Sequence, residues 1–220
     1  MRLRHLIVAC ASLVAGSVFA TPQAPVQGAE YLVLATPQSV QAAPGKVEVI
    51  EFFMYHCPAC NAFEPSLSSW LRQNAASVSF RRIHLPHTPE NDPEAHLFLT
   101  LEALKKEDAL HDQVMRTWHV ERKRLASDKD NLDWALKNGL DKAGFEAAYQ
   151  SFGVMTRLKN LNRVAASYQV DSTPTLIVDG RYLTNASMVA SANPKLPRQN
   201  VEQATLQVVQ ALVAKAKQGK

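Results

Sequence analysis

The stretch "VEVIEFFMYHCPACNAFEP", Val47 to Pro65, runs from a continuous apolar segment into two cysteines flanking a Pro-Ala pair, and then into a helix pattern. Val47 to Tyr55 is β-branched and aromatic, too continuous for a strand with one wet face, and reads as a buried strand of an α/β sheet. Pro44 and Gly45 punctuate its start. Beyond the cysteines, Phe63, Leu67, Trp70 and Leu71 recur at i, i+4, i+7 and i+8, the apolar face of an amphipathic helix. The cysteines therefore sit where a buried strand hands over to a helix.

That position carries chemistry. With Cys57 as the N-cap, Pro58 takes the first helical position, where a missing N–H is no loss, and Cys60 falls at the third. The Cys57 sulfur is then aimed at backbone N–H groups of the first turn. Those donors and the positive end of the helix dipole favour thiolate over thiol. Residues i and i+3 of a helix lie about 5–6 Å apart at Cβ, within reach of a disulfide after modest adjustment. Cys60, deeper in the turn, can resolve a mixed disulfide formed at Cys57, so the pair works as a reversible two-electron device.

The first twenty residues, MRLRHLIVACASLVAGSVFA, combine Arg2 and Arg4 with an apolar run and small residues at Val18-Phe19-Ala20. They read as a secretory signal peptide cleaved after Ala20, which predicts an exported, soluble mature chain. Thr21, Pro22, Gln23 and Pro25 follow without a stop-transfer pattern, which disfavours a membrane span. Ile7-Val8-Ala9-Cys10 resembles a lipoprotein box that would acylate Cys10, but only Leu6 to Ala9 would then serve as the apolar region, shorter than a signal peptide needs. Without residues 1–20 the chain keeps 22 Lys+Arg against 20 Asp+Glu, a formal charge of +2. So even a balance points away from nucleic acid as a partner.

About 200 mature residues can bury a core without disulfide staples. Cys57 and Cys60 close too small a loop to constrain the unfolded chain, so a structural bridge explains them poorly. A zinc site would need His84 and His87, but only two residues separate them and one is Pro86. Redox chemistry without a metal or organic cofactor remains.

Elsewhere, Tyr31 to Leu34 is a short strand candidate and Val78 to Ile83 a second buried strand ending at Pro86. Asp92 can cap a helix opened by Pro93, with Leu97, Leu101 and Leu104 on one face. Leu110 to Trp118, Leu132 to Leu136, and Phe145 to Tyr149 mark further helical pieces, and Val154 to Ala165 a longer one. Thr175 to Val178, Asp179-Gly180 and Arg181 to Leu183 read as strand, two-residue turn and strand. A helix from Val201 to Lys217 closes the chain.

"EFFMYHCPACNAFEP" and "VDSTPTLIVDG", with a helical block between them, resemble the DsbA family of periplasmic thiol:disulfide oxidoreductases over essentially the whole mature chain. The resemblance implies a thioredoxin fold with an inserted helical domain. Its expected parts are 21–86 and 151–220 for the thioredoxin fold and 87–150 for the insertion. It also implies that Cys57 is the attacking cysteine and Cys60 its buried partner, and that Thr173-Pro174 is a cis pair facing them and docking an extended substrate. Glu51 matches a buried acid suited to relay a proton to Cys60, and Glu64 another acidic position on the first helix. His56, Pro58 and Ala59 complete the expected substrate-binding surface. Many relatives carry histidine where this chain has Ala59, and His56 is positioned to supply part of that missing charge.

The expected activity is donation of the Cys57–Cys60 disulfide to cysteines of newly translocated proteins, with reoxidation by a quinone-linked membrane partner of the DsbB type. A monomer is expected. The nearest rival is an isomerase or reductase of the same fold. Such exported isomerases bring an N-terminal dimerisation domain, and only about 25 residues precede the first strand. Kappa-type glutathione transferases share the architecture without paired cysteines. A non-catalytic peptide-binding holdase would keep its activity when both cysteines become serine.

Overall fold

The computed structural model describes residues 21–88 and 91–219, so the expected signal peptide and Cys10 lie outside the described residues. Five strands form one sheet: β1 (Leu32–Val33), β2 (Val47–Phe53), β3 (Val78–His84), β4 (Thr175–Val178) and β5 (Tyr182–Asn185), in the order β1-β5-β4-β2-β3. β2 runs parallel to β3 and antiparallel to β4, while β5 runs antiparallel to both β4 and β1. The first helix, α1 (Pro58–Asn74), is the crossover between the parallel strands β2 and β3. After β3 come α2 (Pro93–Ala103), α3 (Glu107–His119), α4 (Asp128–Lys137), α5 (Lys142–Tyr149) and α6 (Phe152–Ser167). After β5 come α7 (Ala186–Ala192), a 3₁₀ turn at Arg198–Asn200, and α8 (Val201–Gln218).

All seven residues of β2 are buried, because the strand is central and covered on both faces. Its alternation splits the core. Val47 and Val49 pack with Phe63, Leu67 and Trp70 of α1 and with Val208, Val209 and Leu212 of α8. Ile50 and Phe52 pack with Leu97, Phe98 and Leu101 of α2, Val114 of α3 and Leu161 of α6. Each such fully buried aliphatic side chain contributes about 1.5–3 kcal/mol. Glu51 shares the parity of Val47 and Val49, so a carboxylate is carried into the α1 side of the sheet.

The hairpin turns at Asp179-Gly180 as the sequence reads, with φ +53 and +61 and the Arg181 N–H donating to the Val178 carbonyl at 3.0 Å, but the second strand starts one residue later. Pairing starts at Val178 with Tyr182, leaving Asp179, Gly180 and Arg181 in the turn. The Arg181 carbonyl accepts the Leu34 N–H at 2.8 Å and the Gly180 carbonyl accepts the Gln38 N–H at 2.8 Å. Gly180 sits at φ +61, and a Cβ there would lie 2.3 Å from the Gln38 carbonyl oxygen, so glycine is required. β1 is only two residues long, with Tyr31 and Leu34 buried on either side of it.

Candidate active site

The chain enters α1 through a segment pinned from several elements. The Tyr55 N–H donates to His84 Nε2 at 3.3 Å, the Tyr55 carbonyl accepts from His119 Nε2 at 2.8 Å, and the His56 N–H donates to Glu94 at 2.9 Å. β3, α3 and α2 therefore fix the backbone that presents Cys57. The two histidines of the zinc alternative are engaged otherwise: His84 is fully buried and accepts that hydrogen bond, and the His87 ring packs edge-on against His56 at 5.2 Å.

Cys57 is the N-cap of α1, with extended backbone at φ −73 and ψ 115, and its sulfur accepts the Cys60 backbone N–H at 3.3 Å. Pro58 occupies the first turn, and Pro58 and Ala59 are exposed. Both cysteines are free thiols in this structure. Cys57 is 7% exposed and Cys60 0%, so the outer sulfur offers a small window rather than an open face.

The Thr173-Pro174 bond is cis and lies across from the pair. The Thr173 carbonyl is 3.7 Å from the Cys57 sulfur and accepts from the protonated thiol. The Thr173 hydroxyl is buried without a hydrogen-bond partner.

The Cys57 thiol is lowered to about 5. The largest cause is the hydrogen bond donated by the Cys60 thiol, followed among favourable effects by Thr173 and the backbone N–H groups of Cys60 and Ala59, with burial opposing. Cys60 moves in the other direction, because its proton is held on the Cys57 sulfur and because burial disfavours its anion. One thiol is thus kept ionised by the proton of the other.

Glu51, 1% exposed on the central strand β2, is pushed up to about 7 by burial, with Arg82 pulling it down. Arg82 stands opposite it in the β2–β3 register and donates from Nε at 3.2 Å, while the second Glu51 oxygen has no hydrogen-bond partner. Its charge in turn helps keep the Cys60 proton in place. Glu64, on α1, accepts from Arg82 Nη2 at 2.7 Å and from the Ser68 hydroxyl at 2.8 Å.

His56 is half-buried rather than a free surface side chain. Its Nδ1 lies 2.8 and 2.9 Å from the two oxygens of Glu94, and its ring packs near Trp118 at 5.9 Å. The hydrogen bond with Glu94 is the main reason that its pKa is raised, with desolvation opposing and the Cys57 charge adding a smaller share.

Glu94 and His119 carry no motif in the sequence, and Arg82, which the sequence offers as part of a solvated Arg81-Arg82 run, has its side chain buried instead. Arg82 carried the one available signal, a charge inside an otherwise buried strand.

The thioredoxin family model matches residues 41–193. A thiol:disulfide interchange protein DsbA of Bordetella parapertussis is 36% identical over 81% of this chain and 85% of its own length. The chain belongs to the DsbA family. A DsbA of Pseudomonas aeruginosa is 36% identical over 70% of this chain and 73% of its own. The crystal structure of Pseudomonas aeruginosa DsbA superposes with a TM-score of 0.74 at 31% identity, covering 87% of this chain and 94% of that one. Reduced DsbA1 of Neisseria meningitidis gives 0.71 at 26% identity, covering 88% and 96%. The sheet with its helices is therefore a thioredoxin fold of the DsbA kind, and the chain is a thiol:disulfide oxidoreductase.

Proposed function

We propose that the chain acts as an exported dithiol oxidant, with Cys57 the attacking sulfur and Cys60 its resolving partner. In the oxidised form, a substrate thiolate attacks the Cys57 sulfur, the Cys57–Cys60 bond breaks, and Cys60 leaves as a thiolate that takes a proton from Glu51. A second substrate thiolate attacks the substrate sulfur of the mixed disulfide, forming the substrate disulfide and releasing Cys57 as a stabilised thiolate. What supports this direction is the Cys60 N–H on the Cys57 sulfur at 3.3 Å. A stabilised leaving thiolate favours the reduced form, and so makes the disulfide oxidising.

Reduced proteins on their way to folding are the proposed substrates, docking along the Thr173-Pro174 edge beside Cys57, with His56, Pro58 and Ala59 around it. Reoxidation falls to a quinone-linked membrane oxidase of the DsbB type. Residues 87–150 are read as the inserted helical domain, with 21–86 and 151–220 forming the thioredoxin part. We place the mature chain in the periplasm as a monomer, after removal of residues 1–20. Among the described residues no helix is long and apolar enough to cross a membrane.

Cys60→Ala tests the exchange directly. The variant keeps the nucleophile and loses the internal resolving thiol, so expressed in an oxidising compartment it should accumulate reducible mixed disulfides with exported proteins. A variant that forms none would count against Cys57 as the exchanging sulfur.

A further inference from the structure

Beneath Cys60, three carboxylates surround one guanidinium. Arg82 Nε is 3.2 Å from Glu51, Nη2 is 2.7 Å from Glu64, and Nη1 is 3.8 Å from Glu107. A single fixed positive charge does not balance three largely buried negative ones. A second basic group fills the gap. His111 of α3 is 2% exposed, with Nδ1 2.8 Å from Glu107 Oε1 and Nε2 3.4 Å from Glu64 Oε2. Only the Nδ1 contact is a hydrogen bond, Nε2 and Glu64 Oε2 having no hydrogen-bond partner, but a carboxylate facing each nitrogen favours the doubly protonated ring, since neutral imidazole carries a single N–H.

The groups facing His111 come from every element around it. Glu51 lies on β2, the buried Tyr55 hydroxyl just beyond it, Glu64 on α1, Arg82 on β3, and Glu107 and the exposed Asp108 on α3 itself. The carboxylates outweigh burial and Arg82, so the His111 pKa is raised, while Glu64 is held down to about 2 and Glu107 is also lowered. With Arg82 and His111 charged, and Glu64 and Glu107 ionised, the cluster is neutral when Glu51 holds a proton. It carries one net negative charge when Glu51 does not. A recess of about 300 Å³, with Arg81, Glu102, Lys105 and Asp108 also in its lining, reaches the cluster at Arg82 and Glu107.

We propose that His111, supplied by the helical block, is a positioning residue for the thiol chemistry, its charge setting the pH range in which Glu51 exchanges a proton with Cys60. The inference rests on Glu51 being the proton partner of Cys60. During reoxidation the Cys60 sulfur attacks Cys57 in a mixed disulfide with an outside thiol. The Cys57–Cys60 bond forms, and the bond to the outside sulfur breaks. That sulfur leaves with the electron pair as a thiolate, and the Cys60 proton passes to the Glu51 carboxylate. The cysteine pair is oxidised and the incoming disulfide reduced. Without the His111 charge the Glu51 carboxylate is less favoured, and ring closure at neutral pH is starved of its base.

The test is stopped-flow ring closure in reduced protein mixed with excess oxidised glutathione, from about pH 5.5 to 9, reading the phase that does not depend on glutathione concentration. The unmodified protein should show a midpoint near the Glu51 value of about 7. His111→Gln should move that midpoint upward by about one pH unit. Glu51→Gln should abolish it, and Glu51→Gln/His111→Gln should match Glu51→Gln alone. A His111→Gln profile that overlays the parent, or a shift that persists without Glu51, would overturn the role of His111. An unchanged midpoint in Glu51→Gln would instead remove Glu51 from the step, and the proposal with it. Should His111→Gln not fold, ¹⁵N NMR of the unmodified protein at pH 7 decides: two protonated ring nitrogens on His111 are expected, and a neutral ring contradicts the proposal.

Discussion

Glu94 grips His56 at two points: one carboxylate oxygen accepts the His56 backbone N–H at 2.9 Å, and the imidazole Nδ1 lies 2.8 Å from the other. A side chain at the start of α2 thereby fixes the residue that precedes the reactive cysteine. Burial resists the Glu94 charge, but the hydrogen bond with the His56 ring leads the effects that hold its carboxyl down to about 2.

The pair sets a pH window for stability. The Glu94 contribution is present above the unfolded value of about 4.5 and is lost as pH falls through about 2. The His56 contribution is complete below the unfolded value of 6.5 and is lost as pH rises through its raised folded value. Glu94→Gln should therefore cost most between those two unfolded values, about 1–2 kcal/mol after allowing for the partial exposure of His56. Urea unfolding at pH 2, 5.5 and 9 reads this, and a loss that is equal at all three would remove the ion pair from stability.

His56→Ala removes the positive half of the pair and leaves the Glu94 carboxylate in place, so it should raise the Cys57 pKa, and added salt should screen the effect. Thiolate absorbance titrations at low and high salt check this. A large salt-independent rise would mean that His56 acts by contact rather than by charge.

Glu51 carries the opposite sign. Its folded pKa lies near 7 against about 4.5 unfolded, so the penalty for its charge is absent below about 4.5, grows across that interval, and is constant above. Glu51→Gln should leave stability unchanged at pH 4 and raise it above pH 7 by about 1–3 kcal/mol, the weakened hold on Arg82 offsetting part of the gain. The same variant should slow ring closure. Denaturant unfolding at both pH values decides, and a variant destabilised above pH 7 would show that the Arg82 pair outweighs burial.

Ala59 sits exposed in the first turn, where histidine would add a donor and a positive charge near the Cys57 sulfur. Ala59→His should lower the Cys57 pKa and raise the reduction potential, since stabilising the thiolate stabilises the reduced form. Each ~30 mV corresponds to about 1.4 kcal/mol for this couple, so one charge-assisted hydrogen bond is measurable by equilibration with glutathione. A potential that stays put while the pKa drops would break the link between thiolate stability and oxidising power.

The strand-to-helix junction was legible in the sequence because local rules determine it: a buried β-branched run, a proline at the first helical position and an apolar face repeating every helical turn. The cap at Asp92 with Pro93 was readable for the same reason, and the structure gives Asp92 accepting from the Ala95 N–H. The Asp179-Gly180 turn was readable likewise, but the hydrogen bonds that the Gln38 and Leu34 amides donate to the Gly180 and Arg181 carbonyls were not, because they come from a distant segment. Family resemblance supplied the Thr173-Pro174 contact, which no local pattern carries. His111 and Glu94 stayed hidden for a further reason. They reach the site from helices 30 or more residues downstream of the cysteines, and only tertiary packing brings them beside Glu64 and His56.

The most direct test of the site is the pH dependence of alkylation of the reduced protein by iodoacetamide, with the label located by peptide mapping. Labelling should fall on Cys57, with a midpoint near pH 5, and Cys60 should stay unlabelled through neutral pH. A midpoint in the ordinary thiol range of about 8.5, or label appearing first on Cys60, would contradict the assignment of Cys57 as the stabilised thiolate.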